Sequence, residues 1–294
     1  MFGATLTAMV TPFSEDLSLD LDGAQKLAHY LVENGNDGVV VAGTTGESPT
    51  LSHQEQIDLV AAVKQALPDH PVIAGVGSNN TAAALDLTER AAEVGADGLL
   101  HVTPYYNRPS QEGLRRHFTT VCEATDLPVI LYDIPVRTGR KISSDLLLDL
   151  FALPTVAGLK DAAGNPAETA DVIRRAEQQG LDISVYSGDD SVTLPLLAVG
   201  AVGVIGVATH WAGAEMAEMI AAYRKGDVEL AQQINARLIP SYNYETGDLA
   251  PNPVPSKVLM NLLGVAVGEC RSPMGPAPDG LEAEAREVLS GLDR

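Results

Sequence analysis

The sequence predicts an α/β fold, a (β/α)8 TIM barrel with a C-terminal helical appendage. Three observations predict it. Eight short runs of apolar and β-branched residues recur within about the first 225 positions. Segments with apolar residues at spacings of three and four separate them, so strand and helix alternate. The chain has 294 residues, long for an ordinary domain but normal for one such barrel plus an appendage.

In chain order, the expected strands are Ala4–Val10, Gly38–Ala42, Val72–Gly75, Gly98–Val102, Val129–Tyr132, Val156–Lys160, Ile183–Ser187 and Gly203–Val207. Helical periodicity covers Ala24–Glu33, Gln54–Leu67, Ala82–Val94, Leu114–Ala124 and Ala167–Gln178. Start signals stand at Ser52, Thr81, Ser110 and Ser143, and Gly35, Gly95 and Gly180 sit where helices should stop. Eight units favour closure over an open, doubly wound sheet. The open sheet would want a glycine-rich turn after its first strand, and Thr11-Pro12-Phe13-Ser14 is not one. Beyond Gly226 the strand pattern ends. Asp227–Ile239, Pro255–Leu263 and Gly280–Leu292 read as helices, so residues 1–225 are expected to form the barrel and 226–294 a helical domain.

Composition narrows the function classes. Asp plus Glu number 39 and Lys plus Arg 19, a formal net charge of −20. That field repels nucleic acid and anionic membranes, and an acidic substrate would need local cations to hold it. Cys122 and Cys270 belong to no CxxC pair and read as buried free thiols. The histidines lack HExxH or any other metal spacing, and His101 falls within a strand as a core or rim residue. No basic leader or membrane-length apolar run is present, which predicts a cytoplasmic location.

Active sites of such barrels lie at the C-terminal ends of the strands. Reading those ends collects Gly43-Thr44-Thr45-Gly46-Glu47-Ser48, Thr103 through Arg108, Tyr132 through Gly139, Lys160-Asp161 and Gly188-Asp189-Asp190. Strand alternation puts Val156, Gly158 and Lys160 on one face, with Gly158 leaving space beneath the lysine. A desolvated lysine has a lowered pKa, and only a neutral amine attacks a carbonyl. The bland alternative is a lysine snorkelling to the rim or paired with Asp161. It is favoured for Lys160 alone. Tyr132 on the next strand and Thr44 on the second tip the balance towards a nucleophile. Tyr132 either fills the barrel or shuttles protons. Thr44 and Thr45 either cap a turn or, with the flanking glycines, receive a carboxylate. Arg137 is either a surface residue or a bidentate clamp. Asp189 and Asp190 suit a helix N-terminus better than a metal.

These landmarks, in this order and over essentially the whole chain, resemble the 4-hydroxy-tetrahydrodipicolinate (dihydrodipicolinate) synthase family. That family belongs to the pyruvate-dependent class I aldolases related to N-acetylneuraminate lyase. The resemblance implies that Lys160 forms an imine with pyruvate and that Tyr132, Thr44 and Tyr106 relay protons. It implies that Tyr106 serves a neighbouring subunit, usually within a homotetramer. Thr45 and the Ile205 backbone match groups that hold pyruvate, Arg137 the group that binds L-aspartate 4-semialdehyde, and Gly188 a position lining the site. No metal or organic cofactor is implied, because the imine is the electron sink.

One departure concerns feedback. Residues matching the family's lysine-binding site stand at Ser48, His53, Asn79 and Tyr105, but Ala83 and Gln56 replace a glutamate and a histidine of lysine-sensitive members. Weak or absent inhibition by lysine is the expectation. The rival readings are a sugar-acid lyase of the same superfamily and a non-catalytic keto-acid sensor. The Thr44-Thr45 pair and Arg137-Thr138-Gly139 oppose the first. The joint presence of Lys160, both tyrosines and Thr44 opposes the second.

Overall fold

The computed structural model of the chain describes residues 2–247 and 249–292. Eight parallel strands close a barrel in chain order: β1 Thr5–Ala8, β2 Gly38–Val41, β3 Val72–Gly75, β4 Gly98–Val102, β5 Val129–Asp133, β6 Val156–Asp161, β7 Ser184–Ser187 and β8 Gly203–Gly206. The expected (β/α)8 architecture is therefore present. Helices follow the strands: α1 Leu21–Glu33, α2 His53–Ala66, α3 Thr81–Glu93, α4 Gln111–Glu123, α5 Pro135–Thr138, α6 Ser144–Phe151, α7 Pro166–Gln178, α8 Thr193–Leu197 and α9 Thr209–Arg224. After the barrel come α10 Val228–Glu245, α11 Val254–Leu262 and α12 Leu281–Gly291.

The strands read as unbroken apolar runs because both faces are covered. In β2, Val40 packs inward with Leu6, Ile73, Leu100, Ile130 and Ile205, while Val39 and Val41 face the helix layer. Local signals set the helix ends. Ser52 accepts the Glu55 N–H, and Glu55 returns to the Ser52 N–H, closing a capping box. Ser110 and Ser143 cap α4 and α6 by side chain alone, accepting the Gly113 and Leu146 N–H groups. At α3 the cap is Asn80, one residue before the expected Thr81.

The seam between β1 and β8 is closed by polar side chains. Thr7 Oγ1 donates to Asn36 Oδ1 at 2.6 Å and lies 2.8 Å from Thr209 Oγ1. His210 Nε2 accepts the Val10 N–H at 3.0 Å, which leaves its Nδ1–H for the Val207 carbonyl at 2.7 Å. Burial holds this imidazole neutral, its pKa lowered to about 4.

Two expectations are corrected. Strand β6 does not alternate regularly: Val129 pairs with Val156, but Ile130 pairs with Gly158, so Ala157 is an extra residue. The irregularity leaves Val156 in the outer layer with Leu159, opposite to the face of Lys160. Gly158 makes room for the neighbouring strand rather than for the lysine, since a Cβ there would stand 2.5 Å from the Ser184 carbonyl oxygen. The second correction concerns α10. The expected end was Ile239, yet the helix runs on through Pro240 to Glu245. Ser241, Tyr242, Tyr244 and Glu245 are buried, and the Trp211 indole donates to Ser241 Oγ at 3.0 Å. This packing offsets the hydrogen bond that proline cannot make.

The tail is fastened to the barrel by buried charge. Lys257 Nζ on α11 lies 2.7 Å from Glu47 Oε1, which ends the loop after β2. Both side chains are buried, and Lys257 also donates to the Glu269 carbonyl and sits 4.1 Å above the Phe13 ring. The Arg271 N–H donates to Glu47 Oε2 at 2.9 Å, and its guanidinium reaches Leu17, Thr50 and Glu55. That guanidinium holds Glu55 down to about 2. Removing one member of a buried pair strands the other charge. Lys257→Met is expected to cost about 3–5 kcal/mol in urea unfolding at pH 7. A loss below about 1 kcal/mol would mean that solvent already screens the pair.

Candidate active site

Strands β5 and β6 pair Tyr132 with Lys160 in register, which sets both on the barrel's inner face. The Lys160 ammonium position lies 4.4 Å from the Tyr132 ring centroid. Lys160 is only 4% exposed. Burial is the largest influence on the amine and pulls its pKa down to about 8, with Asp190 and Glu245 pulling upward and Arg137 adding to the fall. The bland pairing with Asp161 does not occur. Asp161 is the next residue along the strand and points outward, where it accepts from Thr169 Oγ1 at 2.5 Å and the Ala163 N–H at 2.8 Å.

Burial pushes the Tyr132 phenol well above its ordinary range, so it keeps its proton. Thr44, half-buried in the loop after β2, lines the same cavity as that phenol. Two residues of this loop, Ala42 and Glu47, have left-handed backbones with φ of 56° and 55°. Such conformations cost energy in non-glycine residues and persist where packing holds them, here through the Lys257 pair.

The loops enclose a cavity of about 320 Å³, lined among others by Thr44, Tyr105, Tyr132, Arg137, Asn252 and Met274. Arg137 lies in the short helix α5 directly after β5, exposed at the rim and without an ion-pair partner among the described residues. Thr45 is buried, and its Oγ1 accepts from Asn252 Nδ2 at 2.8 Å. Ile205 is fully buried inside the barrel. Gly188 lies against the lysine: a Cβ there would stand 2.9 Å from Lys160 Cγ and 3.1 Å from Cε. Any side chain at 188 would push the amine aside.

Lys160, Tyr132, Thr44, Arg137 and Gly188 thus gather at one end of the barrel. Tyr106 does not join them. It is 89% exposed with φ of 69°, while its neighbour Tyr105 lines the cavity. Residues that sequence reasoning missed come from the tail: Asn252 behind Thr45 and Lys257 behind Glu47. Nothing in their spacing marked them. Asp189 does cap a turn, accepting from the Ser191 N–H, but Asp190 is buried instead and accepts from Val207. His101 is buried beside Thr88 and held neutral, its pKa lowered to about 3. Cys122 and Cys270 are buried free thiols. Among the described residues no group of three or more His, Cys, Asp or Glu is arranged to hold a metal, and no helix is long and apolar enough to cross a membrane.

A buried amine of lowered pKa beside a protonated phenol, with an unpaired guanidinium at the rim, is suited to imine chemistry on an anionic carbonyl compound. Comparison with known proteins agrees. Residues 1–291 match the model of the dihydrodipicolinate synthetase family. The 4-hydroxy-tetrahydrodipicolinate synthase of Moorella thermoacetica is 48% identical over 93% of this chain and 92% of its own. That of Acidothermus cellulolyticus is 47% identical over 98% and 92%. Among solved structures, dihydrodipicolinate synthase from Bacillus anthracis superposes with a TM-score of 0.94 at 42% identity, covering 99% of this chain and 98% of that one. Full-length similarity in sequence and in fold makes this chain a member of the dihydrodipicolinate synthetase family.

Proposed function

We propose that the protein is a lyase that condenses pyruvate with L-aspartate 4-semialdehyde through a Schiff base on Lys160. The product is 4-hydroxy-2,3,4,5-tetrahydrodipicolinate, and the reaction is the first committed step towards diaminopimelate and lysine. The observation that carries the reading is the desolvated Lys160 amine beside the Tyr132 phenol in a chain of this family. Lowering the amine from 10.5 to about 8 raises its neutral fraction at pH 7 by roughly two orders of magnitude.

The neutral amine adds to C2 of pyruvate, and loss of water from the carbinolamine leaves an iminium. Its positive nitrogen accepts the electron pair released when C3 loses a proton, giving an enamine. The enamine carbon attacks the aldehyde of the second substrate. The amino group of that substrate then adds to C2 and expels Lys160, closing the ring and freeing the enzyme. Tyr132 passes protons to and from the carbinolamine oxygen, with Thr44 as its partner in the relay. The Thr45 loop and the Ile205 backbone hold the pyruvate carboxylate, Gly188 keeps the lysine's path clear, and the free Arg137 fork binds the carboxylate of the semialdehyde. The net charge of −20 makes that local cation necessary.

Tyr106 completes the relay from another copy of the chain, in a tetramer built from tight dimers. Its full exposure and left-handed backbone support this, as does the 86% exposure of Val136 beside Arg137. Residues 1–225 form the catalytic barrel and 226–294 a helical domain behind it, in an enzyme that works in the cytoplasm.

Incubation with pyruvate and borohydride is expected to modify the Lys160 peptide, and Lys160→Ala to abolish the modification. The trapping rate should rise with pH and level off above about pH 8, because the neutral amine is the reactive form. In a coupled assay with aspartate semialdehyde and the following reductase, reduced nicotinamide should be consumed. Trapping without that consumption would point to a sugar-acid substrate instead. Tyr106→Phe should lower kcat by about 10- to 1000-fold while the oligomer persists in ultracentrifugation. Full activity in the intact oligomer would remove Tyr106 from the relay. Lysine should inhibit weakly, with a constant above the millimolar range. Ala83 offers no carboxylate for the effector's ammonium, and Gln56 is spent on the Ser48 carbonyl at 3.0 Å. Sub-millimolar inhibition would overturn that expectation; the relative from Cyanidioschyzon merolae was solved with lysine bound.

A further inference from the structure

The loop after β2 is held by three sets of contacts. Thr11 Oγ1 donates to the Gly46 carbonyl at 2.5 Å. Lys257 and the Arg271 N–H take the two oxygens of Glu47. The third set is a chain of buried side chains from the tail. Ser256, in the first turn of α11, donates from Oγ to Asn252 Oδ1 at 3.0 Å. Asn252 Nδ2 in turn donates to Thr45 Oγ1 at 2.8 Å. Ser256 is fully buried, Thr45 is 3% exposed and Asn252 9%. Asn252 also lines the cavity at the barrel mouth, together with Thr44 and Tyr132.

This chain has a direction. The single proton of the Ser256 hydroxyl is spent on the amide oxygen of Asn252, which turns the amide nitrogen towards Thr45. A threonine hydroxyl has one proton to give and accepts through its lone pairs. Because Thr45 Oγ1 accepts from Asn252, its own proton points away from the tail. Among the described residues no acceptor takes that proton. Buried donors are as a rule satisfied, so an unspent one beside a cavity asks for an acceptor from a ligand. Thr11 and Lys257 already hold the two residues that follow, Gly46 and Glu47. What the Asn252 bond adds is a direction for one O–H.

We propose that Asn252 is a positioning residue for pyruvate: by filling the acceptor side of Thr45 Oγ1, it commits the Thr45 proton to the substrate's carboxylate. The proposal rests on the reading above, in which the Thr45 loop receives that carboxylate. A hydroxyl free to rotate would divide its proton between tail and substrate. A hydroxyl that donated to the tail would turn its lone pairs on an anion. Fixing the donor before binding removes both losses, and a hydrogen bond to a carboxylate is among the stronger ones. Ser256 acts one step further back, because it decides which end of the amide faces Thr45. Ser256 and Lys257 are consecutive on α11, so one turn of helix supports both Thr45 and Glu47.

The test titrates pyruvate in imine trapping with cyanoborohydride, followed by intact mass at pH 8 in the full-length protein. Asn252→Asp keeps the shape but accepts from both hydroxyls, so it draws the Thr45 proton back to the tail. It should raise the half-saturating pyruvate concentration by about 10- to 100-fold, with a limiting trapping rate within about threefold of the parent. Asn252→Ala only frees the hydroxyl and should raise it by about threefold. The near-isosteric variant is thus the more harmful, an order that loss of packing would reverse. In the Thr45→Val background, Asn252→Asp should add no more than about twofold, because the two residues act through one bond. A full penalty there would mean that the new carboxylate repels pyruvate directly, and would overturn the proposal. So would an unmoved concentration in Asn252→Asp, or a larger effect in Asn252→Ala. Should Asn252→Asp not fold, Ser256→Ala carries the same comparison. It lets the amide turn over and should raise the concentration by about threefold with Thr45 present and not in the Thr45→Val background. Equal effects in both backgrounds, or none in either, would overturn the proposal. A parent protein that is never trapped would refute the imine reading itself, and the role of Asn252 with it. A parent that traps, with the variants unmoved, would refute only that role.

Discussion

The site depends on one constraint: a primary amine is held inside a barrel of aliphatic side chains. Water would hold that amine protonated. The barrel interior does not, and the cost of desolvation falls on the ammonium form. Charges around Lys160 act in both directions, Arg137 adding to that cost and Asp190 and Glu245 opposing it. Tyr132 offers its ring face, Gly188 leaves the side chain a path, and buried carboxyls stand close enough to oppose the shift. A pKa near 8 is the result of this opposition, not of burial alone.

The C-terminal helices belong to this arrangement as much as the barrel does. They deliver Asn252 to Thr45 and Lys257 to Glu47. These two contacts fix the loop after β2, whose Ala42 and Glu47 hold left-handed backbones. A loop under that strain needs support from behind, and the buried ion pair provides it. Through this loop the tail sets the position of Thr44, which lines the cavity with Tyr132. The tail is thus an electrostatic and steric backing for the site.

Legibility in the sequence varied with the kind of signal. Strand positions were readable because each strand is short, apolar and followed by polar residues at the rim. Lys160 stood out because a cation ends such a run. Tyr132, Thr44 and Arg137 could be tied to it because their strands put them at the same end. The face of Val156 was misread, because one extra residue in β6 breaks the alternation, and no local pattern marks such an irregularity. The end of α10 was misread because Pro240 is a strong local signal that packing overrode. Asp190 resembled a turn cap like Asp189, and only the return of β8 and α10 distinguishes the two.

The sequence by itself determined the strand–helix alternation, the closure into eight units, the polar rim and the family likeness. All of these are short-range patterns or ordered motifs, which a linear reading preserves. Only the tertiary structure decided which polar groups meet: Glu47 with Lys257 and Thr45 with Asn252, the last pair 207 positions apart in the chain. Such contacts carry no periodicity. They arise because a closed barrel brings distant strand ends to one mouth, where the returning helices seal buried charges against each other.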